Sequence, residues 1–144
     1  TIIDGNAAAG KKLKDKFFKG TPGYKNLIDA IKDSAKKKYI KGISGRRLFI
    51  RSPHSAPNVL LQSLGAYISK YWMVEVHKRI KEESIVCNQI GWIHDELQFE
   101  CKEDHAEKLS KILEESSLTA CEKLGIRMPI HSEAAIGRNW SDVH

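Results

Sequence analysis

Two short apolar runs separated by three polar residues constrain the fold of this 144-residue chain more than any other feature. The first run is SIVCNQIGWI, residues 84–93, and the second is LQFEC, residues 97–101, in which apolar and polar residues alternate. Such alternation is typical of a β-strand with one buried face. Because only His94-Asp95-Glu96 lie between the runs, we predict an antiparallel hairpin.

Helical spacing of apolar residues predicts four helices around this hairpin. They cover Asn6 to Lys19, a segment that starts at Pro22 with Thr21 as N-cap, about Ser55 to about Ser84, and residues 103–124 before Gly125. The second helix should bury one apolar face, made of Tyr24, Leu27, Ile28, Ile31 and Ala35. The third should lie mostly in the core, because it carries a broad apolar stripe of Leu60, Leu61, Leu64, Tyr67, Ile68, Tyr71, Trp72 and Val76.

Two further segments have strand character. KKYIKGISGRRLFIR, residues 37–51, predicts a second hairpin with its turn at residues 43–45. IRMPIHSEAAIG, residues 126–137, predicts a last strand, and Pro129 restricts that strand to an edge or a bulge. The expected fold class is therefore α+β: a small antiparallel sheet, made of the His-Asp-Glu hairpin and the C-terminal strand, packed on helices.

Charge is distributed unevenly along the chain. The net charge is +6, but residues 10–51 hold 14 basic side chains against three acidic ones, a local net charge of +11. This asymmetry indicates a polyanionic partner for the first third of the chain, although a solvated lysine-rich face has the same composition.

The cysteine content and the hydropathy of the chain indicate its cellular compartment. Cys87, Cys101 and Cys121 are odd in number and lack metal-binding CxxC spacing, which favours buried thiols in a reducing, intracellular compartment. No apolar run approaches the roughly 20 residues that a membrane-spanning helix needs. We therefore expect a cytoplasmic protein without a membrane partner.

Adjacent carboxylates at a turn are suited to a divalent cation. Asp95 and Glu96 repel each other when both are ionised, and a bound cation removes that repulsion. Mg²⁺ prefers oxygen ligands, usually one or two carboxylates plus substrate phosphates. An acidic turn exposed to solvent explains the same residues, so the spacing alone leaves both interpretations open. A zinc site is disfavoured because His94 has no partner at ligand spacing, and no nucleophile elbow of a serine hydrolase is present.

Three motifs in order resemble the family A DNA polymerases, the Klenow-type enzymes. GWIHDELQFE, residues 91–100, is similar to the family's motif C, and GRRLFIRSPHSAPNVLLQSLGA, residues 45–66, to the basic hairpin and helix that precede it. The tail GRNWSDVH, residues 137–144, resembles the family's Trp-containing C-terminus. The RSPHSAPN form and the short spacer before motif C look most like the replicases of small tailed phages, which implies a host cytoplasmic location.

The resemblance implies roles for the motif C residues. Asp95 matches the carboxylate that binds the catalytic metals, and Glu96 matches its weaker acidic neighbour. His94 stands where the family places a residue near the primer 3′ end. The implied cofactor is Mg²⁺, in a two-metal site completed by a carboxylate outside this chain.

The resemblance also implies contacts with primer-template DNA. His54, Asn58 and Gln62 match residues that read the minor groove, and His144 matches a terminal His near the primer backbone. An amide donor suits that role, because purine N3 and pyrimidine O2 are nearly equivalent acceptors in all base pairs. The phosphate-binding candidates are basic residues of the first hairpin: Arg46, Arg47 and Arg51.

Other parts that the family needs for catalysis lie outside these 144 residues. The chain contains neither the second metal-binding Asp in a DxSxxE segment nor the RxxxKxxxFxxxYG helix that binds the incoming dNTP. We therefore expect residues 1–40 to be a remnant of the helical fingers and residues 41–144 the C-terminal part of the palm, inactive without an N-terminal polymerase part. Whether the chain is an excised fragment or one subunit of a split polymerase stays open, and the alternative function is a non-catalytic nucleic-acid-binding module.

Overall fold

The computed structural model describes residues 6–143. The residues up to Gln62 form one compact unit, called here the N-terminal unit, and those from Ser63 onward form the C-terminal unit. Helices and two antiparallel hairpins alternate along the chain, which confirms the α+β class. None of the helices in this range is long and apolar enough to cross a membrane.

Two helices open the N-terminal unit, as the helical spacing of apolar residues predicted. Helix α1 is Ala7–Gly20, and the side chain of its N-cap, Asn6, accepts hydrogen bonds from the Ala8 and Ala9 amides at 3.0 and 3.2 Å. Helix α2 is Pro22–Ala35. Thr21 stands between them, but its hydroxyl donates backwards to the Phe17 carbonyl at 2.8 Å. The Thr21 side chain therefore satisfies the C-terminus of α1 rather than the N-terminus of α2.

The first hairpin closes the core of this unit. Strand β1, Tyr39–Lys41, pairs with β2, Arg47–Phe49, in the register Ile40↔Leu48. Buried residues from α2, the hairpin and the next helix form the core: Ile31, Ala35, Ile40, Ile50 and Ala56. The predicted burial of α2 is only partly correct, because Tyr24 and Leu27 are 42% and 48% exposed.

Helix α3, Ala56–Glu82, begins in the N-terminal unit and ends in the C-terminal unit. Pro57 lies in its first turn, where a missing amide hydrogen costs no helical hydrogen bond. The prediction that most of α3 is core is wrong, because Leu61 is 54% exposed and most other apolar residues between 60 and 72 are only half-buried. Val76 and Ile80 are the buried apolar residues of its C-terminal part.

The second hairpin has the predicted position. Strand β3, Cys87–Ile93, pairs with β4, Glu96–Cys101, and a bulge at Ile90 shifts the register between Gln89↔Phe99 and Gly91↔Gln98. The turn contains only two residues, so Glu96 belongs to β4 and pairs with Ile93. The predicted three-residue turn is therefore one residue too long.

Helix α4, Ala106–Lys123, follows a single 3₁₀ turn over Glu103–His105 and packs with β4 and α3 around one core. The buried members of that core are Val76, Ile80, Ile85, Leu97, Leu109 and Ile112. The indole nitrogen of Trp72 donates to the Leu113 carbonyl at 2.7 Å, which joins α3 to α4. Within the described residues, β3 and β4 therefore carry one face against helices, as amphipathic strands require.

The predicted C-terminal strand over residues 126–137 is not formed. Pro129 lacks an amide hydrogen, and most of the segment is exposed rather than alternately buried. Single contacts with α4 hold it instead: the Ser132 hydroxyl donates to the Leu113 carbonyl at 3.3 Å, and the Ala134 amide donates to the Glu114 carboxylate at 3.1 Å. Within residues 6–143 the structure therefore has two separate two-stranded sheets in place of the expected hairpin-plus-strand sheet.

Candidate metal-binding turn and nucleic-acid-binding face

Asp95 stands at the tip of the second hairpin. With His94 it forms the two-residue turn between Ile93 and Glu96, and both turn residues are exposed. His94 has φ +55°, in the left-handed region that hairpin turns use and that His tolerates better than most side chains. The paired strands thus expose the Asp95 side chain to solvent at the tip of the hairpin.

The Trp92 side chain supports this turn. Its indole nitrogen donates to the His94 carbonyl at 2.9 Å, and the ammonium of Lys70, from α3, lies 5.7 Å from the indole centroid. A cation over an indole face is attracted by the ring quadrupole. Trp92 therefore links the backbone of the turn to α3.

The second carboxylate, Glu96, is half-buried at the start of β4. The amide nitrogen of Gln98 donates to a Glu96 carboxylate oxygen at 2.8 Å. Gly91 lies across from Gln98, and a Cβ atom at position 91 would stand 2.6 Å from the Gln98 amide oxygen. The glycine therefore leaves space for the side chain that orients Glu96.

The N-terminal unit presents a basic and aromatic face on the first hairpin. Arg47 lies with its guanidinium 4.9 Å from the Tyr39 ring centroid, and Phe49, paired with Tyr39, is 81% exposed. Arg46 and Arg51 are exposed as well. Because side chains alternate across a strand, the buried Ile40 and the half-buried Leu48 occupy the opposite face. This exposed cationic surface is suited to phosphate groups.

The predicted minor-groove residues are exposed in the same unit. Asn58 and Gln62 lie one turn apart on α3, so their side chains share one face of the helix. His54 precedes the helix in a turn and is also exposed. Both amides are therefore available to a ligand.

The C-terminal tail forms a compact turn of its own. A 3₁₀ turn covers Trp140–Asp142, and the Asp142 carboxylate accepts a hydrogen bond from the Arg138 amide at 2.8 Å. Gly137 permits this return of the chain, because a Cβ atom there would lie 2.5 Å from the Asp142 Cβ. The predicted site residue His144 lies outside the described residues.

Sequence comparison identifies the family. The model of DNA polymerase family A matches residues 3–142. The chain belongs to this family. It is 31% identical to the DNA-directed DNA polymerase of Enterobacteria phage T3 and 30% identical to that of Escherichia phage T7, over 99% of this chain and 23% of each phage protein. It is 29% identical to DNA polymerase I of Aquifex aeolicus, over 90% of this chain and 23% of that protein.

A solved structure has the same fold. The POL domain of Pol1 from M. smegmatis, in a complex with DNA primer-template and dNTP, matches with a TM-score of 0.73 and 23% identity. The match covers 80% of this chain and 23% of the mycobacterial one. The chain therefore spans about a quarter of the length of these family A relatives.

Family A polymerases are generally metal-dependent, and the donors at the turn fit such an ion. Asp95 and Glu96 supply the hard oxygen ligands that Mg²⁺ prefers. No group of three His, Cys, Asp or Glu side chains able to hold a metal is present between residues 6 and 143. The two carboxylates would therefore need ligands from other molecules or other segments, which suits an ion that usually retains waters and binds phosphates.

Sequence reasoning missed the residues that support the turn at His94 and Asp95. Trp92 and Lys70 gave no signal, because their contact depends on how α3 lies against the hairpin. Gln98 did give a partial signal: alternation placed it on the same face as Glu96, two positions away. The role of Gly91 depends on the bulge at Ile90, which the alternation does not reveal.

Proposed function

We propose that this chain is the C-terminal portion of a DNA-directed DNA polymerase, in which residues 1–40 belong to the fingers and residues 41–144 to the palm. It would act with an N-terminal polymerase part that supplies the dNTP-binding helix and the second metal-binding Asp. The exposed Asp95 at a two-residue turn between paired strands, in a chain matched to family A over residues 3–142, carries this proposal.

Asp95 is proposed as the carboxylate that binds catalytic Mg²⁺, and Glu96 as an additional or indirect ligand. The metal would stabilise charge on the reacting phosphate and orient the primer 3′-hydroxyl. The chain's own contribution is positional: the hairpin fixes the Asp95 backbone, and Gln98 fixes the orientation of Glu96. His94, beside Asp95 in the turn, is proposed to lie near the primer terminus.

The N-terminal unit is proposed to contact primer-template DNA. Arg46, Arg47 and Arg51 would bind phosphates, and Asn58 and Gln62 would donate to minor-groove acceptors without selecting a sequence. His54 is proposed to act beside these two amides. His144 is proposed to contact the primer backbone. These residues would hold the duplex while the N-terminal polymerase part delivers the dNTP.

Reconstitution tests the proposal. The chain is mixed with the N-terminal part of its polymerase, a primer-template, dNTPs and Mg²⁺, and primer extension is measured. We expect synthesis only in the mixture. Asp95→Ala should lower the rate by roughly 10²- to 10³-fold, because a metal ion supplies several kcal/mol of charge stabilisation and each 1.36 kcal/mol is tenfold in rate. DNA affinity should change little.

Asp104→Ala is the matched control, because Asp104 is an exposed acidic residue of the same unit outside the turn. It should leave extension unchanged. Normal synthesis by Asp95→Ala would remove Asp95 from the metal site. Salt-sensitive DNA binding without synthesis in any mixture would favour the alternative, a non-catalytic binding module.

A further inference from the structure

Two of the three cysteines face each other across the second hairpin. Cys87, the first residue of β3, is the register partner of Cys101, the last residue of β4. Directly opposed residues of an antiparallel pair project to the same face of the sheet. Both side chains pack, half-buried, against the core of the C-terminal unit, and both are free thiols.

The hydrogen bonding around the pair defines its geometry. The Lys102 amide donates to the Val86 carbonyl at 3.4 Å, so a ladder hydrogen bond joins the two residues just outside the cysteines, while the Val86 amide donates to the His105 ring at 2.8 Å. Pairs alternate along an antiparallel ladder, which makes Cys87 and Cys101 a non-hydrogen-bonded pair. In such pairs the Cα atoms are about 4.5 Å apart and the side chains approach most closely. A disulfide requires Cα atoms about 4.4–6.8 Å apart, a range that includes the separation typical of such a pair.

We propose that Cys87 and Cys101 form a reversible cross-strand disulfide when the chain meets a low-molecular-weight disulfide such as oxidised glutathione. One cysteine thiolate attacks a glutathione sulfur, forms a mixed disulfide and releases one glutathione thiolate. The second cysteine thiolate attacks the protein sulfur of that mixed disulfide and releases the second glutathione. Two protein thiols are thereby oxidised, one glutathione disulfide is reduced to two thiols, and the two protons pass to the released glutathione.

The environment of the pair sets the rate of this exchange. Burial raises the pKa of the Cys87 thiol, and the neighbouring Cys101 raises that pKa further. Burial also raises the pKa of Cys101, with a smaller contribution from Asp104. Because the thiolate is the attacking species, the disulfide should form slowly near neutral pH and faster as the pH rises.

The link would close the base of the hairpin whose tip carries Asp95. It joins the ends of a 15-residue segment, residues 87–101, and so restricts the unfolded chain and fixes the strand register. The proposal concerns the hairpin alone and does not depend on the polymerase function.

Oxidation of the 144-residue chain with glutathione disulfide tests the proposal. After incubation, the chain is denatured, free thiols are alkylated, and intact mass and non-reduced peptides are measured. We expect one Cys87–Cys101 link, one alkylated thiol at Cys121, and a melting temperature higher by about 10 °C that dithiothreitol reverses.

Single substitutions complete the test. Cys87→Ser and Cys101→Ser should each abolish the intramolecular link, whereas Cys121→Ser should retain it, because Cys121 is buried on α4. Peptide mapping of the unsubstituted chain decides the question even if one variant fails to fold. A stable glutathione adduct, three unmodified thiols or a link through Cys121 would each overturn the proposal.

Discussion

Gln98 orients Glu96 through a hydrogen bond of 2.8 Å from its amide nitrogen to the carboxylate, and this arrangement exists because Gly91 has no side chain. The three residues connect the register of the hairpin with the geometry of a proposed metal ligand. The bulge at Ile90 is part of the same arrangement, since it sets Gly91 rather than Ile90 opposite Gln98.

Gly91→Ala should therefore break the hydrogen bond between Gln98 and Glu96 but leave the free energy of unfolding nearly unchanged. Replacing a strand glycine by alanine gains about 0.5–1 kcal/mol. The new Cβ would meet the Gln98 amide oxygen at 2.6 Å, and loss of the hydrogen bond to Glu96 costs about 1 kcal/mol. We expect the free energy of unfolding, measured in urea, to stay within about 0.5 kcal/mol of the original value.

The double variant separates the two opposing effects. In a Gln98→Ala background there is no amide to displace, so Gly91→Ala should raise the free energy of unfolding by about 0.5–1 kcal/mol. An identical effect of Gly91→Ala in both backgrounds would show that positions 91 and 98 are energetically independent.

Trp92→Phe should loosen the turn that carries Asp95. The substitution keeps an aromatic ring beside Lys70 but removes the donor to the His94 carbonyl, which is 2.9 Å from the indole nitrogen. A lost hydrogen bond of about 1 kcal/mol corresponds to a roughly fivefold larger open population. Amide hydrogen exchange at residues 94–96 should accelerate by about that factor.

Trp72→Phe is the matched control for the turn. It also removes an indole donor, here to the Leu113 carbonyl at 2.7 Å, but it acts where α3 meets α4. It should lower the global free energy of unfolding by about 1 kcal/mol and leave exchange at the turn unchanged. Equal acceleration in both variants would mean that Trp92 acts only through global stability.

Adjacent serines on α4 allow a clean measurement of an unpaired buried hydroxyl. The Ser116 hydroxyl is fully buried without a hydrogen-bond partner among the described residues, whereas the Ser117 hydroxyl donates to the Glu114 carbonyl at 2.7 Å. Alanine favours a helix over serine by about 0.5 kcal/mol at either position. Ser116→Ala should therefore stabilise the chain by at least that amount, since no hydrogen bond is lost.

The free energy of unfolding of Ser117→Ala, measured by heat or urea, should be about 1 kcal/mol lower than that of Ser116→Ala. The reason is that only Ser117→Ala removes a hydrogen bond. Both substitutions remove one hydroxyl group from a buried position on the same helix. Equal stabilities would indicate that the Ser116 hydroxyl finds a partner in solution.

Local signals predicted the helices and hairpins. Asn6 and Gly125 mark helix ends through backbone hydrogen bonding that depends on a few neighbouring residues, and the structure places the ends where these residues predicted them. The alternation in LQFEC also predicted correctly that Leu97 is buried. These elements were predictable because short segments contain their causes.

Features that depend on distant partners were not predictable. A strand at residues 126–137 needs a neighbouring strand to pair with, and hydrophobicity alone does not provide one. The apolar stripe of α3 does not show which of its turns meet other elements, so Leu61 was predicted to be core and is exposed. The contact of Lys70 with Trp92 and the pairing of Gly91 with Gln98 likewise depend on tertiary position and on the bulge, whereas the adjacent carboxylates Asp95 and Glu96 could be singled out from the sequence.

Gln62 and Arg47 should affect the reconstituted polymerase in different ways. Both are exposed in the N-terminal unit, but one offers a neutral amide and the other a guanidinium placed over Tyr39. Gln62→Ala should lower extension efficiency and mismatch discrimination more than DNA affinity, because minor-groove donors test base-pair shape. Gln62→Glu, which has nearly the same size but no donor, should show the same loss of discrimination.

Arg47→Ala should weaken DNA binding on all sequences and reduce the slope of log affinity against log salt by about 1. Single-nucleotide extension from matched and mismatched termini, with binding measured at several salt concentrations, distinguishes the two roles. Unchanged discrimination in both Gln62 variants would exclude a minor-groove role for this residue.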